Sequence, residues 1–166
     1  MPAKRRAGAD RVAGVIRAVT VGDRAGWQPL WDAYLRFYRE VRPAAVTDAT
    51  FDRLCARRDG LFGYVAEEDG VLVGLAHAVV HASTWSTQPV CYLSDLFVGT
   101  VARGSGVARA LIEAVVAEAR TIGAAEVYWH TQEFNGRARS LYDQVAELRS
   151  WVVYEVPLSG SPASTP

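Results

Sequence analysis

The chain has 166 residues, half of them hydrophobic, and its 18 basic and 18 acidic side chains cancel to a formal charge of zero. That is apolar material for one domain with a sizeable core and too little for two. The charge balance argues against a counterion-driven nucleic-acid binder, which leaves Lys4, Arg5 and Arg6 as a solvated tail.

Residues 1–10 read as a disordered tail, 11–157 as a single domain, and 158–166, rich in Ser and Pro, as a second disordered tail. Arg17 interrupts "VAGVIRAV" before any apolar run is long enough for a signal peptide, and no later segment could span a bilayer. Cys55 and Cys91 lie far apart with no ligand pattern around them. Neither a disulfide framework nor a zinc site is indicated, no metal is expected, and both read as buried thiols of a cytoplasmic protein.

"GVIRAVTVGD" reads as a first strand closed by a turn at Gly22 and Asp23. A helix follows, since Trp27, Leu30, Trp31, Tyr34, Leu35, Tyr38 and Val41 recur at three- and four-residue spacing before Pro43. Thr47 or Asp48 is expected to cap a shorter helix carrying Phe51, Leu54 and Cys55. From Leu61 the period becomes extended, with Asp69-Gly70 placed as the turn of a hairpin. A polar loop, Ser83 to Pro89, leads into the strand "CYLSDLFV". A glycine-rich turn then opens a helix with Val107, Ala110, Leu111, Ala114, Val115 and Ala119 on one face, ending at Gly123. "AEVYWH" is a further strand, Asn135 a good N-cap for "GRARSLYDQVA", and "WVVYEV" a last strand. This order predicts an α+β fold: a mixed, mostly antiparallel central sheet with helices on both faces.

A strand entering a glycine turn that opens a helix suits a phosphate group, because glycines let backbone N–H groups approach the anion and the helix start adds partial positive charge. A P-loop would need Gly-Lys-Ser/Thr where this turn ends Gly106-Val107-Ala108. A Rossmann fingerprint would need a third glycine or alanine at Arg109, and an acidic residue closing the next strand, which Glu126 instead opens. The pattern that fits is Arg/Gln-x-x-Gly-x-Gly/Ala, met as Arg103-Gly104-Ser105-Gly106-Val107-Ala108. Here the chain resembles the GNAT superfamily of acyl-CoA N-acyltransferases. "YLSDLFV" is similar to that family's splayed fourth strand, and the segment from Asn135 to Tyr142 to its Asn-x-x-Ala-x-x-Leu/Phe-Tyr motif. "YLRFYRE", "HASTW" and "VYWHTQEFNGRARSLYD" resemble the histone/polyamine acetyltransferase branch in particular.

The resemblance implies that Gly104, Ser105, Gly106, Val107, Ala108 and Arg109 wrap the pyrophosphate of acetyl-CoA, with Arg103 positioning the turn or meeting a phosphate. It implies that backbone groups of Leu96, Phe97 and Val98 meet the pantetheine arm, and that Asn135, Gly136, Arg137 and Ala138 meet its other side. Tyr142 matches the family tyrosine that serves as acid to the departing thiolate; a helix-face core aromatic is the other reading. The related branch also implies a homodimer, to which the single strand after the last helix adds an unpaired edge.

Direct transfer needs a neutral amine, and an alkylamine with a pKa near 10.4 is only about 0.1% neutral at pH 7.4, a deficit of roughly 4 kcal/mol. A glutamate commonly fills the position of Ser94 in the polyamine-type relatives and acts through water; serine alone cannot take that role. Asp95 points to the opposite face of a regular strand unless a bulge re-aims it. Glu133 and His130 are the first candidates for the base, and deprotonation of an amine of lowered pKa by bulk solvent is the alternative. His77 and His81 read as hydrogen-bonded strand residues, and Trp27, Trp31, Tyr34, Phe37 and Tyr38 as core or as an aromatic wall for a cation. The expected activity is N-acetylation of a primary amine on a small molecule or peptide. A catalytically silent acyl-CoA-binding module is the alternative, and a nucleotide-dependent oxidoreductase a distant third.

Overall fold

The computed structural model describes residues 14–158. The expected tails, the Lys4–Arg6 cluster included, lie outside the described residues apart from Leu158. Five strands, β1 (Val15–Ala18), β2 (Leu61–Glu68), β3 (Val71–His81), β4 (Val90–Val98) and β5 (Val127–Tyr128), form one sheet in sequence order. The first three pairings are antiparallel and β4 pairs with β5 in parallel. Asp69 (φ 49°) and Gly70 (φ 76°) both take the left-handed conformation that a two-residue hairpin turn requires.

The four helices divide between the faces as the alternation of the strands dictates. Val65 and Leu75 point toward α1 (Arg24–Phe37) and α2 (Ala44–Ala56), joining a core with Trp27, Leu30, Trp31, Phe51 and Leu54. Phe62, Ala66, Ala76 and Ala78 point the other way, against α3 (Val107–Ile122), with Leu141, Tyr142 and Val145 of α4 (Gly136–Val145) packed at the edge of that core. The apolar stripe of α3 read from the sequence contributes Val107, Leu111, Val115 and Ala119 to the interior.

Four local expectations are corrected. The first helix stops at Phe37 rather than running to Val41, because Arg39 turns left-handed (φ 56°) and Glu40 N–H doubles back to Leu35 O at 2.9 Å. Neither Thr47 nor Asp48 caps α2, which starts at Ala44 after Pro43. Thr47 is instead buried and accepts the Trp31 indole N–H at 3.3 Å. Cys91 is buried as expected, while Cys55 is only half-buried. "WVVYEV" pairs with no strand among the described residues: Trp151 to Val156 run exposed beyond α4, with Tyr154 92% accessible.

Candidate active site

A shift of register decides which way β4 presents its side chains. His77 pairs with Asp95 but Ala78 pairs with Leu93, so Ser94 is an extra residue in β4. Cys91 and Leu93 face the α3 core; without the bulge Asp95 and Phe97 would face it too. The extra residue inverts the order, so that Leu96 and Val98 pack toward α3 while Phe97 packs with the α1 core and Asp95 meets His77. Parallel pairing of β4 with β5 ends at Tyr92, just before the bulge. Beyond it the two strands part, and the edge of Leu96–Val98 lies open.

A groove of about 440 Å³ fills the parting. Leu96, Phe97, Val98, Arg103, Gly104, Gly106, Val107, Ala108, Arg109, Asn135, Arg137, Ala138 and Tyr142 line it, along with Tyr34, Phe37, Tyr38 and Leu141, which the sequence did not assign to it. Ser105 and Gly136 are not part of the lining; they lie within the turn and at the start of α4, and the Ser105 hydroxyl donates to Ala102 O at 2.7 Å. At the head of α3 the first helical bond is Ala110 N–H to Gly106 O (3.0 Å), so the N–H groups of Gly106, Val107, Ala108 and Arg109 find no backbone acceptor among the described residues. Gly104 (φ 85°) and Gly106 (φ 90°) hold the turn in a left-handed shape, with nothing within 4 Å of where a Cβ would stand. The cradle is open, donor-rich and at a helix N-terminus, which fits a diphosphate.

The side chains around it fix this cradle in place. Arg103 Nε donates to Val98 O at 3.1 Å, tying the turn to the end of β4. Arg109 Nη2 donates to Gln144 Oε1 at 2.7 Å, tying α3 to α4. Asn135 caps α4, its Oδ1 accepting from Ala138 N–H at 3.4 Å. Tyr142 packs edge-on to Trp129 with ring centroids 5.3 Å apart; burial, and then Tyr38, push its hydroxyl up to about 12.

A second cavity of about 500 Å³ adjoins the groove, sharing Tyr34 and Tyr38 with it. Its lining includes Trp31, Glu40, Arg42, His77, Ser94, Asp95 and Gln132. Arg42 Nη1 donates to Glu40 Oε2 at 2.6 Å. His77 is buried: its Nε2 receives the Trp27 indole N–H at 2.9 Å and its Nδ1 lies 3.0 Å from Asp95 Oδ2. An indole N–H can only donate, so Nε2 is the bare nitrogen and the ring proton sits on Nδ1, directed at Asp95. Burial first, and Asp95 next, raise the hydroxyls of Tyr34, Tyr38 and Tyr92.

Glu133 and His130 line neither cavity. Glu133 is exposed and offers its backbone carbonyl to Arg139 Nη1 (2.9 Å), while His130 packs on Tyr92 and Tyr128 with centroids 5.5 and 5.8 Å away. His77 and His81 are hydrogen-bonded strand residues as read, His81 through Tyr128 Oη (2.9 Å). Glu40 and Arg42 escaped the sequence reading because they sit in the connector between helices, where no period marks them.

The fold and the slot between parting strands define the acyl-CoA transferase class. Within it, residues 27–146 match the model of the Acetyltransferase (GNAT) family, and the chain belongs to that family of N-acetyltransferases, with acetyl-CoA as cosubstrate. A D-amino-acid N-acetyltransferase of Saccharomyces cerevisiae is 37% identical over 148 residues, 88% of this chain and 91% of the yeast protein. An uncharacterized N-acetyltransferase of Bacillus subtilis is 30% identical, covering 78% of this chain and 86% of its own. The fold is shared with the aminoglycoside N-acetyltransferase AAC(6')-Iy in complex with CoA: TM-score 0.75, 24% identity, 86% of this chain and 93% of that one. No helix among the described residues is long and apolar enough to cross a membrane.

Proposed function

We propose that the enzyme acetylates the amine of a free α-amino acid. The observation that carries this reading is the second cavity, which meets the groove at Tyr34 and Tyr38 and holds charged groups of both signs, Asp95 and Glu40 against Arg42. An amino acid brings an ammonium for the acids and a carboxylate for the guanidinium, whereas a polyamine brings nothing for Arg42. The yeast relative's name supports the same class over the histone/polyamine branch. In this reading the residues of the groove hold acetyl-CoA, the free N–H groups at the head of α3 taking the pyrophosphate, and the protonated Tyr142 hydroxyl supplies the thiolate's proton. Release of thiol from acetyl-CoA, measured across D- and L-amino acids, polyamines, lysine peptides and aminoglycosides, tests it. Stimulation is expected with amino acids; release only with polyamines or lysine peptides refutes the assignment.

We further propose a homodimer. Trp151, Val152, Val153, Tyr154 and Val156 form a largely apolar, exposed run with no strand partner among the described residues, and the edge strand β5 is only two residues long. A second copy offers the same edge and the same segment, so each could complete the other's sheet. Sedimentation of the full chain should give a dimer, and truncation after Ser150 a monomer; a monomeric full chain at micromolar concentration refutes it.

A further inference from the structure

We infer that Asp95 is the ammonium-binding group and general base of the acceptor site, placed there by the bulge at Ser94 and oriented by Trp27 and His77; the inference rests on the amine-acetylation reading above. Three observations carry it. Asp95 retains only 16% of its side-chain exposure, yet its one ion-pair-distance neighbour among the described residues is His77, whose proton on Nδ1 leaves the ring neutral while Nε2 is held by Trp27. A carboxylate that deep without a cation is short of a counter-ion, and the incoming ammonium is one. Second, Asp95 lines the acceptor cavity beside Tyr34 and Tyr38, the residues that also line the groove, and Tyr38 in turn is close enough to Tyr142 to raise its hydroxyl. Tyr38 thus lines both the cavity that holds Asp95 and the groove that holds Tyr142. Third, the groups beside Asp95 are Tyr34 of α1, Tyr38 just beyond its end, His77 of β3 and Tyr92 of β4, while the other acid of the cavity, Glu40, is already paired with Arg42 at 2.6 Å.

The protons balance. The ammonium gives its first proton to Asp95, which returns it to solvent; the freed nitrogen forms the C–N bond as the C–S bond breaks. The second proton, lost as the amide forms, is matched by the one Tyr142 gives the thiolate, so the products are amide, thiol and one released proton. His77 cannot accept a proton while Trp27 holds Nε2. It is a positioning residue that keeps one carboxylate oxygen occupied and leaves Oδ1 outside that bond.

The test uses Asp95→Asn, which preserves shape, with Asp95→Glu as the variant that keeps the charge and Glu113→Gln, exposed on α3, as control. Acceptors are D- and L-alanine and their 3,3,3-trifluoro analogues, whose amines are already largely neutral at pH 7.5. With alanine, Asp95→Asn should lower kcat/KM by about 10²- to 10⁴-fold, the range of a placed general base. With trifluoroalanine the loss should shrink to under about 10-fold, a split that misfolding cannot produce. A titration of n-butylammonium chloride followed by tryptophan fluorescence needs neither acetyl-CoA nor turnover. Wild type, Asp95→Glu and Glu113→Gln should saturate, and Asp95→Asn should not. Wild type that acetylates nothing defeats the functional reading, while the butylammonium titration still decides on Asp95. Equal loss with both acceptors, or butylammonium binding unchanged in Asp95→Asn, overturns the inference. So does full activity in Asp95→Asn with loss in Glu133→Gln or His130→Ala.

Discussion

Three glycines offer a controlled test of the anion cradle. Gly104, Gly106 and Gly123 share a left-handed backbone, φ 85°, 90° and 78°, and at each a Cβ would meet nothing within 4 Å. Only the first two line the groove; Gly123 closes the far end of α3. An alanine at any of the three carries the same backbone penalty, about 1 kcal/mol, which in a domain of this size lowers Tm by about 2–4 °C. Gly106→Ala should in addition weaken acetyl-CoA binding about 10-fold, because its Cβ enters the space on which the free N–H groups of 106–109 converge. Gly106→Asp adds a charge: 332/(εr) at about 4 Å and an effective dielectric of about 20 is about 4 kcal/mol against each phosphate charge, cut by screening to about 2–4. That predicts a loss of about 30- to 700-fold relative to wild type. Calorimetric titration with acetyl-CoA, paired with thermal melts, separates the two effects. If Gly123→Ala weakens binding as much as Gly106→Ala, the loss is one of global stability. If Gly106→Asp binds normally, the turn is not the phosphate site.

Tyr142→Phe should lower kcat at least 10-fold with little change in acetyl-CoA affinity. Because burial and Tyr38 hold the hydroxyl up at about 12 against 10.0 unfolded, Tyr142 favours the folded state below pH 10 and that contribution is lost as pH rises from 10 toward 12. Any basic limb of the kcat profile below pH 10 should therefore persist in the variant. Asp23 behaves oppositely: Arg17, donating to both its oxygens at 2.8 and 2.7 Å, and then Thr20, hold its carboxyl down at about 2 against 3.8 unfolded. Its contribution is complete above about pH 4 and lost as pH falls toward 2, so Asp23→Asn should flatten the acid-unfolding curve in that window. Trp27→Phe removes the donor to His77 Nε2 from a fully buried ring, and should cost about 2–3 kcal/mol in urea unfolding, one of them for the hydrogen bond.

The groove half of the candidate site was legible in the sequence because each of its parts is local. Glycines that need positive φ, the start of α3, and an asparagine cap three residues before Ala138 all act over a few positions, and each left its residue type behind. The acceptor half depends on relations between distant segments. The bulge at Ser94 exists only in the register of β4 against β3, so whether Asp95 faced α1 or α3 could not be read from β4 alone. The first helix ends early through a left-handed arginine, a conformation that no arginine announces, and that early end brings Glu40 and Arg42 to the cavity.

The same division explains the last strand. "WVVYEV" has the composition of a strand, and the reading of it as one took the partner for granted. Composition states what a segment can pair with only in kind; the ladder itself belongs to two segments, and within one chain the described residues supply no second one. An apolar stretch with Trp151 resting only edge-on against the exposed Trp85, centroids 6.3 Å apart, leaves most of its surface in water, at a cost of about 25 cal/mol for every Å². Folding of one copy leaves those residues exposed, whereas the proposed pairing of two copies would bury them in both. The prediction of a dimer thus follows from the very residues where strand propensity and the single-chain fold disagree, and the truncation after Ser150 removes the disagreement and the dimer together.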